Sequence, residues 1–218
     1  MTLKDLVFDF DGTLVDSMPT WGGKMLRILK EEGASFPDNI VEIITPLGDA
    51  GAAHYFRDVL GVKASAENLL SRMDAYALPK YRDEIPEKEG VGDTLRALKS
   101  RGHRLYVLTA SPHRMLDPCL ARLGLTPLFD GVFSCDDFST TKANPEIYDR
   151  LCAHIGSEKK NLVFFDDNFG ACETAIKAGV QTVGVYDDSG KAAFDRLKSL
   201  TAAAVYTLPE ILQLSLLN

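Results

Sequence analysis

Short β-branched and aromatic runs punctuate the chain at residues 6–10 (LVFDF), 105–109 (LYVLT), 132–134 (VFS), 161–165 (NLVFF) and 182–186 (TVGVY), with a weaker sixth at 204–207 (AVYT). From residue 92 onward they alternate with stretches of helical period. GDTLRALKSRG places Leu95 and Leu98 on one face and stops at Gly102. PHRMLDPCLARLG closes at Gly124, and Pro118 inside it predicts a helix that begins or kinks there. NPEIYDRLCAHIG offers Asn144 as N-cap, Pro145 at the first helical position and Gly156 as C-cap. GACETAIKAGV ends at Gly179. Strand and helix in alternation predict an α/β fold, a Rossmann-like parallel sheet with helices on both faces.

The interval between the first two strands breaks this rhythm. Roughly 70–90 residues intervene, where a crossover needs about a dozen. Their pattern is helical throughout: Trp21, Met25 and Leu29; then Ala53, Phe56 and Leu60; then Leu69, Met73 and Tyr76, opened by Ser65-x-x-Asn68. The expected organisation is an α/β core from residues 1–15 and 87–218, with a helical module inserted over 16–86. Pro86 to Gly92 reads as its return hinge, and Asp16 and Ser17 as the cap of its first helix. Residues 45–51 (TPLGDAG) read as a loop of the module, with Gly48 suited to close approach.

The chain has 218 residues, 45% hydrophobic and 25% charged, with a net charge of −7. That composition suits a globular protein with a substantial core. The acidic balance argues against nucleic acid and anionic membrane surfaces as partners, though not against a small anionic substrate. Cys119, Cys135, Cys152 and Cys172 form no C-x-x-C pair and read as reduced thiols of a cytoplasmic protein. No signal peptide is expected, and no apolar run approaches the ~18 residues of a membrane span.

Ligands of open α/β sheets bind at the carboxyl ends of the strands. The first strand ends in Asp9-Phe10-Asp11 and breaks at once on Gly12-Thr13. The second ends in Thr109-Ala110-Ser111, and the run at 161–165 ends in Asp166-Asp167-Asn168. Lys142 precedes one helix. Four carboxylates against one ammonium leave a formal charge of −3 at these strand ends. Two aspartates two residues apart also repel. Such a cluster calls for a hard divalent cation, Mg²⁺ above all, which favours carboxylates, water and phosphate oxygens. Asp166 and Asp167 read equally as N-caps of the helix at 170–179.

DFDGTLVDS, LYVLTAS, TKANPEIY and VFFDDNFGACETAIKAG resemble, in order, the four motifs of the haloacid dehalogenase superfamily, and the helical insertion resembles that family's small α-helical cap. The resemblance implies a Mg²⁺-dependent phosphohydrolase. Asp9 would be the nucleophile that forms an aspartyl-phosphate. Asp11 would act as general acid and then general base. Thr109, Ala110 and Lys142 would contact the phosphoryl group. Asp9, Asp167 and the Asp11 carbonyl would hold the metal, with Asp166 alongside. Asp11 tilts the reading away from carbon–halogen cleavage, since a halide leaves without a proton. Two departures stand out: Ala143 replaces a frequent proline, and Asp-Asp-Asn replaces the commoner Gly-Asp-Ser or Glu-Asp-Ser.

The implied substrate is a small phosphorylated metabolite, a phosphoglycolate-like or sugar-phosphate monoester, and the protein a monomer or homodimer. A sugar-phosphate mutase is the alternative. It would use the same Asp9 and grip a second phosphate through Lys24, Arg27, Arg57 or Arg72 of the inserted module. A third reading is a non-catalytic module that binds phosphate ligands or a protein. Trp21, Lys24, His54 and Arg57 read either as site-facing or as packing and surface. No histidines pair at H-x-x-x-H spacing. His103 and His154 read as surface residues, while His113, just past Thr109, is placed to touch a leaving group.

Overall fold

The computed structural model describes residues 3–44 and 47–217. Thr45 and Pro46 of the expected module loop lie outside them. The chain divides into two compact units, Met1–Asp16 with Ile85–Asn218, and Ser17–Glu84.

In the first unit six parallel strands form one sheet: β1 (Asp5–Phe8), β2 (Arg104–Thr109), β3 (Gly131–Ser134), β4 (Leu162–Asp166), β5 (Gln181–Val185) and β6 (Ala203–Val205), in the order β3-β2-β1-β4-β5-β6. The chain leaves β1 on one side to β2 and β3 and returns on the other to β4, so the switch point lies between β1 and β4. Register pairs Phe8 with Val107 on one side and Phe165 on the other. Both faces of the central strands are buried, as a parallel sheet requires. Val7, Tyr106, Leu108 and Phe164 pack on one face against Ile147, Tyr148, Leu151, Ala171 and Ala175. On the opposite face lie Leu6, Phe8, Leu105, Val107, Val163 and Phe165, with the rings of Phe8 and Phe165 stacked at 4.6 Å.

The second unit holds the first four helices, α1 (Met18–Glu31), α2 (Ile40–Ile44), α3 (Gly48–Asp58) and α4 (Ala66–Asp83). Their apolar stripes meet in a core of Met25, Ile28, Leu29, Ile44, Phe56, Leu69 and Met73, with Trp21 and Leu60 at its edge. Ser65 caps α4 by accepting from the Asn68 N–H at 3.2 Å. Ser17 takes the N-cap position of α1 in helical geometry, without a side-chain capping bond. Three of its cations are engaged inside the unit. Lys24, 2% exposed, pairs with Asp49 at 2.6 Å. Arg27 pairs with Glu31, and Arg72 with Glu31 and Glu32.

The core helices are α5 (Val91–Ser100), α6 (His113–Arg122), α7 (Glu146–Ile155), α8 (Phe169–Lys177) and α9 (Lys191–Leu200). Four local expectations are corrected. Helix α6 runs through Pro118 rather than starting there; three turns of packing by Met115, Leu116, Cys119 and Leu120 outweigh one forgone backbone bond. Pro145 rather than Asn144 is the N-cap residue of α7, although Asn144 Oδ1 still accepts from the Glu146 N–H at 3.0 Å. The cap of α8 is Asn168, which accepts from the Ala171 N–H, so Asp166 and Asp167 are released from that role. His103 is buried at 2% exposure, not a surface residue. Its Nδ1 accepts from the Lys4 N–H at 3.2 Å, and burial pushes its pKa down. His154 is exposed.

Candidate active site

The strand pattern at 6–10 stops short, and that early stop builds the site. β1 ends at Phe8, yet the Asp9 N–H still donates to the Phe165 carbonyl at 2.8 Å. The Phe10 carbonyl then accepts from both Leu14 and Val15 N–H, and the Gly12 N–H donates to Val15. The chain thus curls into a tight loop directly beyond the sheet. Gly12 sits at φ +78°, a left-handed conformation that side chains resist, and a Cβ there would stand 2.6 Å from Asp167 Oδ2. The glycine therefore lets the loop lie against the end of β4.

Oxygens of Asp9, Asp166 and Asp167 all lie within 4.8 Å of one another. Asp166 is fully buried and Asp9 is 5% exposed. Lys142 Nζ stands 2.7 Å from Asp9 Oδ1 and 2.7 Å from Asp166 Oδ2. Its contact with Asp166 is a hydrogen bond, and Asp9 Oδ1 stands at hydrogen-bonding distance from the same ammonium. Asp166 Oδ1 accepts from the Asn168 N–H at 2.7 Å, so both oxygens of Asp166 are engaged. Asp167 Oδ1 accepts from Thr13 Oγ1 at 2.9 Å.

Burial is the main cause that raises the Asp9 carboxyl to about 7; Asp166 and Asp11 add to it, and Lys142 opposes it. Burial likewise pushes Asp167 well up, reinforced by Asp166, Asp9 and Asp187. The two partners of the ion pair pull consistently, for Lys142 is held well above its ordinary value by Asp166 and Asp9 despite burial. Three acidic groups against one lysine form an all-oxygen donor set. It fits a hard divalent cation.

Asp11 and Thr109 come together with Ser111. The Ser111 hydroxyl donates to Asp11 Oδ2 at 2.5 Å, and the Ser111 N–H donates to Thr109 Oγ1 at 3.0 Å. Accepting there leaves the Thr109 hydroxyl its own proton to donate. Ala110 lies between them at the exposed tip of this turn. His113 does not turn toward this cluster: its ring nitrogens contact Asp117 and Asp137, each at 2.9 Å. Those two carboxylates raise its pKa.

Lys88 and Asp187 are site residues that sequence reasoning missed. Lys88 Nζ donates to the carbonyls of Gly12 and Tyr186, each at 2.7 Å, and to Asp187 Oδ2 at 3.0 Å. One ammonium ties the loop that follows β1 to the end of β5. In the sequence Lys88 is one cation in a charged PEKEG turn, and only its 76- and 99-residue contacts distinguish it.

A doubly wound α/β enzyme with an acidic, lysine-bridged cluster at its switch point is the class these features define. The family model for haloacid dehalogenase-like hydrolases matches residues 4–179. The chain belongs to that family. A phosphorylated carbohydrates phosphatase of Thermotoga maritima is 25% identical over 83% of this chain and 84% of its own length. A phosphoglycolate phosphatase of Pseudomonas putida is 28% identical over 84% of this chain and 70% of its own. A solved structure of a candidate β-phosphoglucomutase from Thermotoga maritima superposes with a TM-score of 0.73 at 25% identity, covering 97% of both chains.

Gly12→Ala tests the loop contact. The substitution combines a left-handed φ, costing about 1–2 kcal/mol, with a collision against the Asp167 carboxylate. The expected result is a lower melting temperature and a Mg²⁺ requirement for turnover shifted to higher concentration. Unchanged half-saturation by Mg²⁺ would show that Gly12 and Asp167 are not coupled.

Proposed function

We propose that this chain is a cytoplasmic, Mg²⁺-dependent phosphohydrolase that cleaves a small phosphomonoester through an aspartyl-phosphate on Asp9. The observation that carries the reading is the Asp9–Asp166–Asp167 cluster at the carboxyl ends of β1 and β4, its two buried members, Asp9 and Asp166, bridged by Lys142. The phosphatase names of its relatives support it. Four cysteines, all buried and unpaired, accord with a reducing compartment, and no helix among the described residues is long and apolar enough to cross a membrane.

Asp9, Asp167 and the Asp11 carbonyl would hold the metal. Asp166, its oxygens engaged by Lys142 and Asn168, supports the site from one step back. Bound Mg²⁺ supplies the charge that lets a carboxylate approach a phosphate dianion. A carboxylate oxygen of Asp9 attacks phosphorus in line with the leaving oxygen, whose bond to phosphorus breaks. Asp11 gives that oxygen its proton. Asp11 then takes a proton from water as the water oxygen attacks phosphorus. The bond to Asp9 breaks, and inorganic phosphate and free Asp9 result. Thr109, the Ala110 backbone and Lys142 hold the phosphoryl oxygens as negative charge redistributes among them.

The likeness to a candidate β-phosphoglucomutase favours a second reading, sugar-phosphate isomerisation. Against it, Lys24, Arg27 and Arg72 are already ion-paired within their own unit, and Lys24 is buried there, while the fourth cation of that set, Arg57, is exposed. The deciding experiment offers a panel of phosphomonoesters, β-glucose 1-phosphate included, with Mg²⁺ and with EDTA. Phosphate release that needs Mg²⁺ is expected. Conversion of the glucose phosphate without release would replace hydrolase by mutase, and an inert protein that still binds Mg²⁺ would leave the binding module.

A further inference from the structure

Ser111 lies outside the set of groups that attack, protonate or bind in the scheme above, yet it is the residue on which two of them converge. It is 9% exposed. Its hydroxyl donates to Asp11 Oδ2, and its N–H donates to Thr109 Oγ1. The Asp11 backbone is fixed separately, through its bridge to Val15 and the Gly12 N–H bond to the Val15 carbonyl. That leaves the two side-chain torsions of Asp11 for side-chain contacts to set. A proton donor misplaced by an ångström loses much of its effect, because the transfer must occur along a hydrogen bond to the leaving oxygen.

We infer that Ser111 is a positioning residue for proton transfer: its hydroxyl holds the Asp11 side chain in the orientation from which Asp11 protonates the leaving oxygen. The inference rests on the phosphohydrolase reading. The same bond persists when Asp11 is a carboxylate, so the residue keeps its orientation as it turns from acid to base. Because Ser111 also donates its N–H to Thr109, the acid and the phosphoryl-binding hydroxyl are registered to each other through one residue at the end of β2. The proton itself never passes through Ser111; it moves from Asp11 to the leaving oxygen as the phosphorus–oxygen bond breaks.

The test is the dependence of rate on the leaving group. Alkyl phosphates expel a poor leaving group that needs a proton, whereas p-nitrophenyl phosphate expels a stable phenolate that does not. Kcat/KM for both esters is compared in wild type, Ser111→Ala, Ser111→Thr and Asp11→Asn, all with saturating Mg²⁺. Loss of general acid catalysis costs about 10²–10⁴-fold. Ser111→Ala is expected to lose about 10²-fold or more on the alkyl ester and only a few-fold on the nitrophenyl ester. Asp11→Asn should share that asymmetry, and Ser111→Thr, which keeps the hydroxyl, should restore most of the alkyl rate. An equal loss on both esters would assign Ser111 a purely structural part and overturn the inference, as would an Ala variant with wild-type rates on both. A wild-type protein that hydrolyses neither ester while Asp9→Asn and wild type bind phosphate alike would overturn the parent reading instead, and the inference with it.

Discussion

Asp9→Asn is expected to abolish phosphate release while leaving the metal-free protein at least as stable as wild type. The activity loss follows from chemistry: an amide has no anionic oxygen to attack phosphorus. Removing a nucleophile that acts as a unit with its neighbours costs roughly 10⁴–10⁶-fold in kcat. The stability gain follows from crowding. Burial, Asp166 and Asp11 raise the Asp9 pKa from 3.8 to about 7, more than Lys142 lowers it. A carboxyl whose folded pKa lies above its unfolded value binds protons more readily in the native state. Its ionisation therefore works against folding as pH rises through that window. An amide removes this cost, a trade of function against stability expected at a built site. Thermal unfolding at pH 8 in EDTA should show an unchanged or higher melting temperature, by about 2–4 °C for each kcal/mol regained. Added Mg²⁺ should stabilise wild type markedly and the variant little. A melting temperature several degrees below wild type would attribute the lost activity to misfolding and remove Asp9 from its proposed role.

The place of the candidate site was legible because the strand ends of a parallel sheet are legible. Apolar runs that stop on Asp9, Thr109 and Asp166 mark one edge of one sheet, and the structure brings Asp9, Asp166 and Asp167 together at the switch point, with Thr109 at the end of the neighbouring β2. What stayed hidden is long-range. Lys88 reaches Gly12 and Asp187 across the fold, and nothing in a PEKEG turn indicates it. His103 follows a glycine in a polar stretch, and its burial depends on a bond from Lys4, 99 residues away. The division of labour among Asp166, Asp167 and Asn168 was equally hidden. Three adjacent polar residues at a helix start can cap, bind metal or hold a lysine, and only the hydrogen bonds separate Asn168 as the cap from Asp166 as the partner of Lys142. The helix through Pro118 shows the same limit from the other side. Propensity predicts a helix that begins or kinks at the proline, and with Leu116 and Leu120 buried on either side of it the helix does not begin there.

Lys142→Met is expected to cost both stability and activity, with the stability loss depending on pH. Lys142 is the cation that stands between Asp9 and Asp166, and it is 11% exposed. Removing one member of a buried pair strands the other, at about 3–5 kcal/mol. Here two carboxylates are stranded together. The native protein can escape by keeping Asp9 protonated, and Lys142 is the group that lowers the Asp9 pKa from still higher values. In the variant that pKa moves above about 7. The native state then holds a proton that the unfolded chain has lost, over a window from about 4 to beyond 7. Stability must fall as pH rises through that window. Unfolding in EDTA should show the variant far below wild type at pH 8 and closer to it at pH 5.5. Mg²⁺ should narrow the gap at pH 8, since a second cation can take up the stranded charge. Turnover should fall roughly 10²–10³-fold even at saturating Mg²⁺, the scale of losing one preorganised donor at the phosphoryl oxygens. A stability gap of equal size at both pH values would mean that Lys142 acts by packing rather than by charge.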